Sequence, residues 1–262
     1  GGFVATGGRG GGASFGTLPT TLACRLPDPG VVAVVAVVVA VGVPTPGVLV
    51  AEEVEGGLVR TASMVEGPFY PDRLPLDTDN DLLLINDSLN PGVGEITYLS
   101  GRVLGKNGQP IRNAFVEIWQ CDAGGAYLHS RSSNKTKADA NFQGYGRYLT
   151  DSQGRYFFRT IKPVPYPGRT PHIHFGVSKN GHRVLTTQML VKGHPMNEQD
   201  FLFKRLANQA ARDSLLVGFN PIKGSRIGDL EANFDIVLGR TVQELDDGTL
   251  GGGLAKPDRA RG

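Results

Sequence analysis

Residues 165–177, Pro165-Tyr166-Pro167-Gly168-Arg169-Thr170-Pro171-His172-Ile173-His174-Phe175-Gly176-Val177, carry a phenol, a guanidinium and two imidazoles from a proline-rich loop into a short apolar run. Side chains alternate between the two faces of a β-strand, so His172 and His174, two positions apart, project from the same face. Their nitrogens can then reach one ion. Outward from this stretch the pattern stays all-β. Ile96 to Leu104, Ala114 to Gln120, Arg155 to Ile161, His172 to Val177, Arg183 to Val191 and Phe234 to Leu238 are short runs rich in β-branched and aromatic residues. Gly105-Lys106-Asn107-Gly108, Asp151-Ser152-Gln153-Gly154 and Lys179-Asn180-Gly181 separate them with residues that tolerate positive φ. The expected architecture is a β-sandwich of mostly antiparallel strands with long active-site loops, flexible termini and one short helix. That helix is placed at about Glu198 to Ala211, on an apolar stripe of Phe201, Leu202, Arg205 and Leu206. Residues 121–147 read as a long loop, and such a loop inside a compact domain is usually functional.

Tyr127 lies in that loop, a few residues after Val116-Glu117-Ile118-Trp119-Gln120, and joins Tyr166 as a candidate metal ligand. Phenolate is a hard anionic oxygen donor and imidazole a borderline one, so two of each favour a small trivalent cation that gains by stripping a proton from tyrosine. Zinc sites draw on thiolate, imidazole or carboxylate, and ferrous oxygenases on two histidines and a carboxylate. Ferric iron, Fe(III), fits this set best.

These residues stand among further ordered motifs: Glu66-Gly67-Pro68-Phe69-Tyr70-Pro71, Thr160-Ile161-Lys162-Pro163-Val164-Pro165-Tyr166-Pro167 and Leu185-Thr186-Thr187-Gln188-Met189. Over roughly residues 62–240 the chain thereby resembles the intradiol ring-cleavage dioxygenases, non-haem iron(III) enzymes, and most of all the β-subunit type of protocatechuate 3,4-dioxygenase. The resemblance implies Tyr127, Tyr166, His172 and His174 as the iron ligands, with Tyr166 the tyrosinate that leaves the metal when a catechol binds and so also a base. It implies Arg169 over the bound ring, where it would stabilise developing negative charge, and Gln188 in the hydrogen-bond network of the site. Gly67, Pro68 and Tyr70 would wall the substrate pocket. The implied reaction inserts both atoms of O2 into a catechol-type aromatic diol and opens the ring between the hydroxylated carbons, giving a cis,cis-muconate-type diacid.

Each residue also has an ordinary reading when taken singly. A His-x-His pair can sit on a wet strand face, a tyrosine can be half-buried with a satisfied hydroxyl, Arg169 can be a solvated loop charge and Gln188 a strand-surface residue. Tyr145, Tyr148 and Tyr156 read as sheet residues, Cys121 as a small hydrophobe, and His129, His182 and His194 as surface or loop residues. A rival for the whole chain is a non-catalytic transthyretin-like module, suggested by Gly101-Arg102-Val103, Gly108-Gln109-Pro110-Ile111 and Gly154-Arg155-Tyr156-Phe157. Such a support module has no reason to gather Tyr127, Tyr166, His172 and His174. Two departures bear on substrate. His172 follows Tyr166 by six residues, a shorter step than in protocatechuate enzymes, and residues 1–60 lack the helical pattern of the amino-terminal domain in catechol and hydroxyquinol 1,2-dioxygenases.

The 262 residues divide by composition into a Gly- and Val-rich segment 1–60, a domain at 61–240 carrying every motif, and a Gly-rich tail at 241–262. With 27 basic and 25 acidic residues the net charge is +2, which offers no basic face for nucleic acid. The two cysteines, Cys24 and Cys121, make neither a disulfide framework nor a zinc site. Val31 to Val43 is apolar but too short and too soon followed by Pro44 and Pro46 for a membrane span. With Arg9 and Arg25 ahead of it, this run could serve an export signal, but Leu49-Val50-Ala51 is a poor cleavage site, and a cytoplasmic chain is the preferred reading. The motifs are compatible with a homo-oligomer and do not specify one.

Overall fold

The computed structural model describes residues 58–86 and 88–239 in full, and the backbone alone of residues 53–54, 243–244 and 250–251. Most of the amino-terminal segment, including its export-signal reading, and most of the tail read as flexible lie outside the described residues.

The strands, in chain order, are β1 (Glu53–Val54), β2 (Leu58–Val59), β3 (Ile96–Gly105), β4 (Ala114–Trp119), β5 (Tyr145–Leu149), β6 (Arg155–Ile161), β7 (His172–Lys179), β8 (His182–Val191), β9 (Leu216–Val217), β10 (Asn220–Pro221), β11 (Leu230–Asn233), β12 (Ile236–Leu238), β13 (Gln243–Glu244) and β14 (Leu250–Gly251). Two five-stranded sheets make the sandwich. In one, β3 pairs antiparallel with β6 on one side and parallel with β11 and then β12 on the other, with β10 outside β11. The second runs β5-β4-β7-β8-β9, antiparallel except for the last pair. The pair β1–β2 and the pair β13–β14 stand apart from both. The antiparallel majority is as the sequence suggests, and the parallel additions make both sheets mixed.

Leu99, Val103 and Phe158 from the first sheet meet Ile118, Phe175 and Met189 from the second in one apolar cluster. Each such side chain is fully or almost fully buried, and burying one contributes about 1.5–3 kcal/mol. The hairpin joining β7 to β8 turns at Asn180 (φ 48°) and Gly181 (φ 76°), two successive left-handed residues whose twist suits adjoining strands.

The single helix expected over 198–211 is two. Asp200 caps α1 (Phe201–Lys204), accepting from the N–H groups of Leu202 and Phe203, and Asn208 caps α2 (Gln209–Asp213), accepting from the N–H of Ala211. Asn208 is extended, at φ −152°, so the chain leaves the helical region and starts again. The buried side is also displaced from the expected stripe: Phe203 and Leu206 are buried, while Phe201 is exposed.

Candidate metal centre

β7 is buried along nearly its whole length. Ile173, Phe175 and Val177 face the sandwich core; His172, His174 and Gly176 point out of the other face, which a sandwich strand normally leaves to solvent. Polypeptide covers that face instead, from the 62–70 segment, the 120–144 loop and the 162–171 loop. The cross-strand row of this face runs Tyr145, Trp119, His174, Gln188 over β5, β4, β7 and β8.

The 120–144 loop is closed at its base by the N–H of Gln120 donating to the carbonyl of Gly144, while the Gln120 amide spans to Thr160 and Ile161. Inside it the Asp122 carboxylate accepts from the N–H groups of Gly124, Ala126 and Asp139. Ser132 accepts from the N–H of Tyr127, and the Tyr127 ring is delivered inward, 3% exposed. Tyr166 arrives on a different device. Its carbonyl accepts from the N–H of Arg169 across Pro167 and Gly168, with Gly168 at φ 83°. Proline then glycine at the two central positions is the pattern of a type II turn. The turn leaves Tyr166 half-buried and Arg169 buried.

Three donor atoms converge. The Nε2 atoms of His172 and His174 are 3.1 Å apart, and the Tyr127 hydroxyl is 3.3 Å from the first of them. Tyr166 closes the set, its ring centroid 5.5 Å from those of both Tyr127 and His172. His172 donates from Nδ1 to the Thr170 carbonyl at 2.7 Å, which fixes the tautomer and turns the Nε2 lone pair inward. Among the described residues, His174 Nδ1 is buried with no partner. Whichever nitrogen of His174 carries the proton, the cluster is left with an unsatisfied lone pair or an unsatisfied N–H. A cation among these atoms would take up the inward lone pairs, and separations of 3.1–3.3 Å suit neighbouring ligands on bonds of about 2.1 Å. The four residues therefore fit a metal ion. Among the described residues no group of three or more His, Cys, Asp or Glu side chains is placed to hold one, so a metal here would draw on phenols.

Burial, reinforced by the charge of Arg169, pushes His172 down to about 3, and burial with His172 and Arg169 nearby holds His174 well below the usual imidazole range. Both rings are neutral donors at ordinary pH. Burial first, then Cys121 and Tyr166, raises Tyr127 well above the usual phenol value. Tyr166 is also raised by burial, but Arg169 pulls it back. Cys121 packs as a buried hydrophobe, its thiol pushed up to about 12 by burial and by Asp122.

Arg169 is held from both ends. Its Nε donates to Asp200 at 2.7 Å and its NH2 group to the Gln188 side-chain oxygen at 2.6 Å, and the Gln188 amide donates onward to the Val65 carbonyl at 2.9 Å. Gly67 lies directly on His174: a Cβ there would be 3.3 Å from the imidazole Cε1, and φ is +77°. Pro68 follows it. Tyr70 makes its contacts one layer away, donating to Glu117 and packing edge-on against Trp119 and Tyr145, so it braces the wall. Trp119 stacks flat on His174 at 4.9 Å, and Glu117 behind it is fixed by Tyr145 and by Arg183.

Two site residues escape a reading by motif. Phe69 stacks on Tyr127 at 5.1 Å and meets Tyr166 edge-on, and its place in the Gly67-Pro68-Phe69-Tyr70 run was the available signal. Asp200 gave none, since in the sequence it is one more polar residue within the stretch expected to be helical. His129, read as a surface or loop residue, lies in the loop and is buried beneath Phe69, where its Nδ1 accepts from the N–H of Arg131.

The Dioxygenase family (Dioxygenase_C) matches residues 65–240. A protocatechuate 3,4-dioxygenase beta chain from Burkholderia cepacia is 40% identical over 184 residues, covering 66% of this chain and 76% of that one. Catechol 1,2-dioxygenase 2 from Acinetobacter lwoffii is 35% identical over 181 residues, covering 62% of this chain; the match spans 59% of that relative's own length. Among solved structures, the dioxygenase domain of a dioxygenase carbohydrate-binding protein fusion from Streptomyces sp. SirexAA-E superposes with a TM-score of 0.52 at 31% identity, over 70% of this chain and 99% of that one. Catechol 1,2-dioxygenase from Acinetobacter sp. ADP1 gives a TM-score of 0.54 at 27% identity, over 75% and 67%.

Proposed function

The chain belongs to the intradiol ring-cleavage dioxygenases, and on that premise we propose that it is a non-haem iron(III) enzyme acting on a catechol-type aromatic diol. It inserts both atoms of O2 and opens the ring between the two hydroxylated carbons, giving a cis,cis-muconate-type diacid. The observation that carries this reading is the convergence of Tyr127, Tyr166, His172 and His174 on one covered face of β7, with the inward lone pair of His172 Nε2 facing the Nε2 of His174 and the hydroxyl of Tyr127. A non-catalytic sandwich has no use for that arrangement.

His172 and His174 would hold the ion as neutral donors, Tyr127 and Tyr166 as anionic ones. Held by these four residues, ferric iron would supply the Lewis acidity that acidifies the diol hydroxyls and the electron demand that makes the ring reactive toward oxygen. The two tyrosines are not equivalent. Tyr127 is enclosed, stacked under Phe69, and stays. Tyr166 is half-buried on a tight turn, so it is the one able to swing away and accept a diol proton at its hydroxyl oxygen. Arg169, its guanidinium fixed between Asp200 and Gln188, supplies positive charge where negative charge develops on the attacked ring. Gly67 and Phe69 lie over His174 and the tyrosines and keep water from the reacting atoms.

The test is an iron assay with visible spectra of the purified protein, taken anaerobically before and after adding catechol or protocatechuate. A tyrosinate-to-iron band that moves to longer wavelength with a diol, followed by loss of the diol ring absorbance when air is admitted, is the expected result. A colourless protein that stays iron-free after ferric or ferrous reconstitution overturns the proposal.

A further inference from the structure

We propose that Asp200 is a positioning residue of this site, its one carboxylate holding the Arg169 guanidinium and, through Thr170, the His172 ring. The inference rests on the reading above, in which Arg169 faces the bound diol.

Asp200 is 2% exposed and accepts four N–H donors. One oxygen takes Arg169 Nε at 2.7 Å and the Thr170 N–H at 3.1 Å; the other takes the N–H groups of Leu202 at 2.9 Å and Phe203 at 3.1 Å. Thr170 is thus pinned at three points. Its N–H goes to Asp200, its hydroxyl donates to Asn197 at 2.6 Å, and its carbonyl accepts the His172 Nδ1 proton at 2.7 Å. The last bond sets which nitrogen of His172 faces the centre, the outer-shell task that partners of ligating histidines generally perform. Toward the substrate side, Asp200 and Gln188 grip Arg169 from two directions.

Only a carboxylate meets these demands. Every neighbour of Asp200 is a donor, so an asparagine would turn its own NH2 either toward Arg169 and Thr170 or toward the cap of α1. The Arg169 charge would also be left buried without its counter-ion. Burial works against the Asp200 charge, yet the Arg169 guanidinium and the backbone N–H groups outweigh it and hold the carboxyl below its usual range.

A plain helix-capping role is the competing account, and Asp200→Asn separates the two, because asparagine caps a helix about as well as aspartate. Full-length, iron-loaded wild type, Asp200→Asn, Arg169→Gln and the double variant are compared for kcat per bound iron, KM, catechol Kd from anaerobic spectral titration, and the rate of iron loss to a chelator. Asp200→Asn is expected to lower kcat per iron on the order of 10- to 100-fold and to speed iron loss roughly tenfold. Per bound iron, the double variant is expected to turn over no more slowly than Arg169→Gln, because the carboxylate reaches the ring through that arginine, whereas its hold on His172 is read in the rate of iron loss. Wild-type kcat and iron retention in Asp200→Asn, or kcat losses that multiply in the double variant, overturn the assignment. If the wild type binds catechol without opening it, the proposed reaction fails, and Asp200 is then judged by Kd and iron loss. Weakening of both supports its role, and unchanged values end it.

Discussion

Ile173, Phe175 and Val177 on one face of β7 and His172 and His174 on the other are all 2% exposed or less. Burial alone does not distinguish them. The first face is covered by another sheet, whose apolar side chains need only shape and volume to match. The second is covered by loops whose every polar group must be placed, and it ends in donor atoms that nothing among the described residues fully satisfies. One strand thus holds the fold with its odd-numbered residues and presents the candidate ligands with its even-numbered ones.

Substitution should split the two faces cleanly. His172→Ala is expected to abolish stoichiometric iron binding and ring cleavage while leaving a folded protein, checked by iron assay with circular dichroism. Full iron occupancy in that variant would break the contrast. Phe175→Ala on the other face should cost about 3–5 kcal/mol in denaturant unfolding, with iron still bound by the fraction that folds. A finer division lies between the tyrosines. Tyr127→Phe should remove most of the visible band and much of the iron, whereas Tyr166→Phe should keep iron, shift the band and slow turnover, as spectra and kinetics would report. Identical behaviour of the two would deny the difference in burial any mechanistic weight. The smallest effect concerns acid. The folded Asp200 carboxyl titrates below its ordinary value of 3.8, so its contribution is full above that value and is lost as pH falls through the folded one. The gap in melting temperature between wild type and Asp200→Asn should therefore narrow below about pH 4.

Much of this contrast is legible in the chain because a strand writes its two faces in alternate letters. His172-Ile173-His174-Phe175 states both, and the β-branched and aromatic runs of β3, β4, β6 and β8 follow the same rule. The parallel placement of β11 and β12 on β3 is not legible: pairing of that kind depends on strands far apart in sequence and leaves no local mark. β5 is legible only in part: Tyr145 and Tyr148 read as sheet residues, but the glycine and arginine between them break the strand pattern, and the loop expected over 121–147 ends where β5 begins, at Tyr145; Gly146 carries no side chain because Asp79 and Leu82 press on it. Asp200 and Asn208 each look like one more polar residue within a helical stretch, and only their extended backbone shows them to be two caps. His129 lies in a loop, as read, but its burial beneath Phe69 comes from the fold of that loop, which has no period to read.

The turn Tyr166-Pro167-Gly168-Arg169 carries a last consequence. Among the described residues nothing lies within 4 Å of where a Cβ at Gly168 would sit, although the backbone there favours glycine. The ends of the turn are anchored, Tyr166 at the donor cluster and Arg169 at Asp200, while its tip is unencumbered. Extra residues grafted at that tip could reshape the surface beside the donor cluster while the anchored ends stayed put, which makes it a natural place for selection, or an engineer, to retune which diols are admitted.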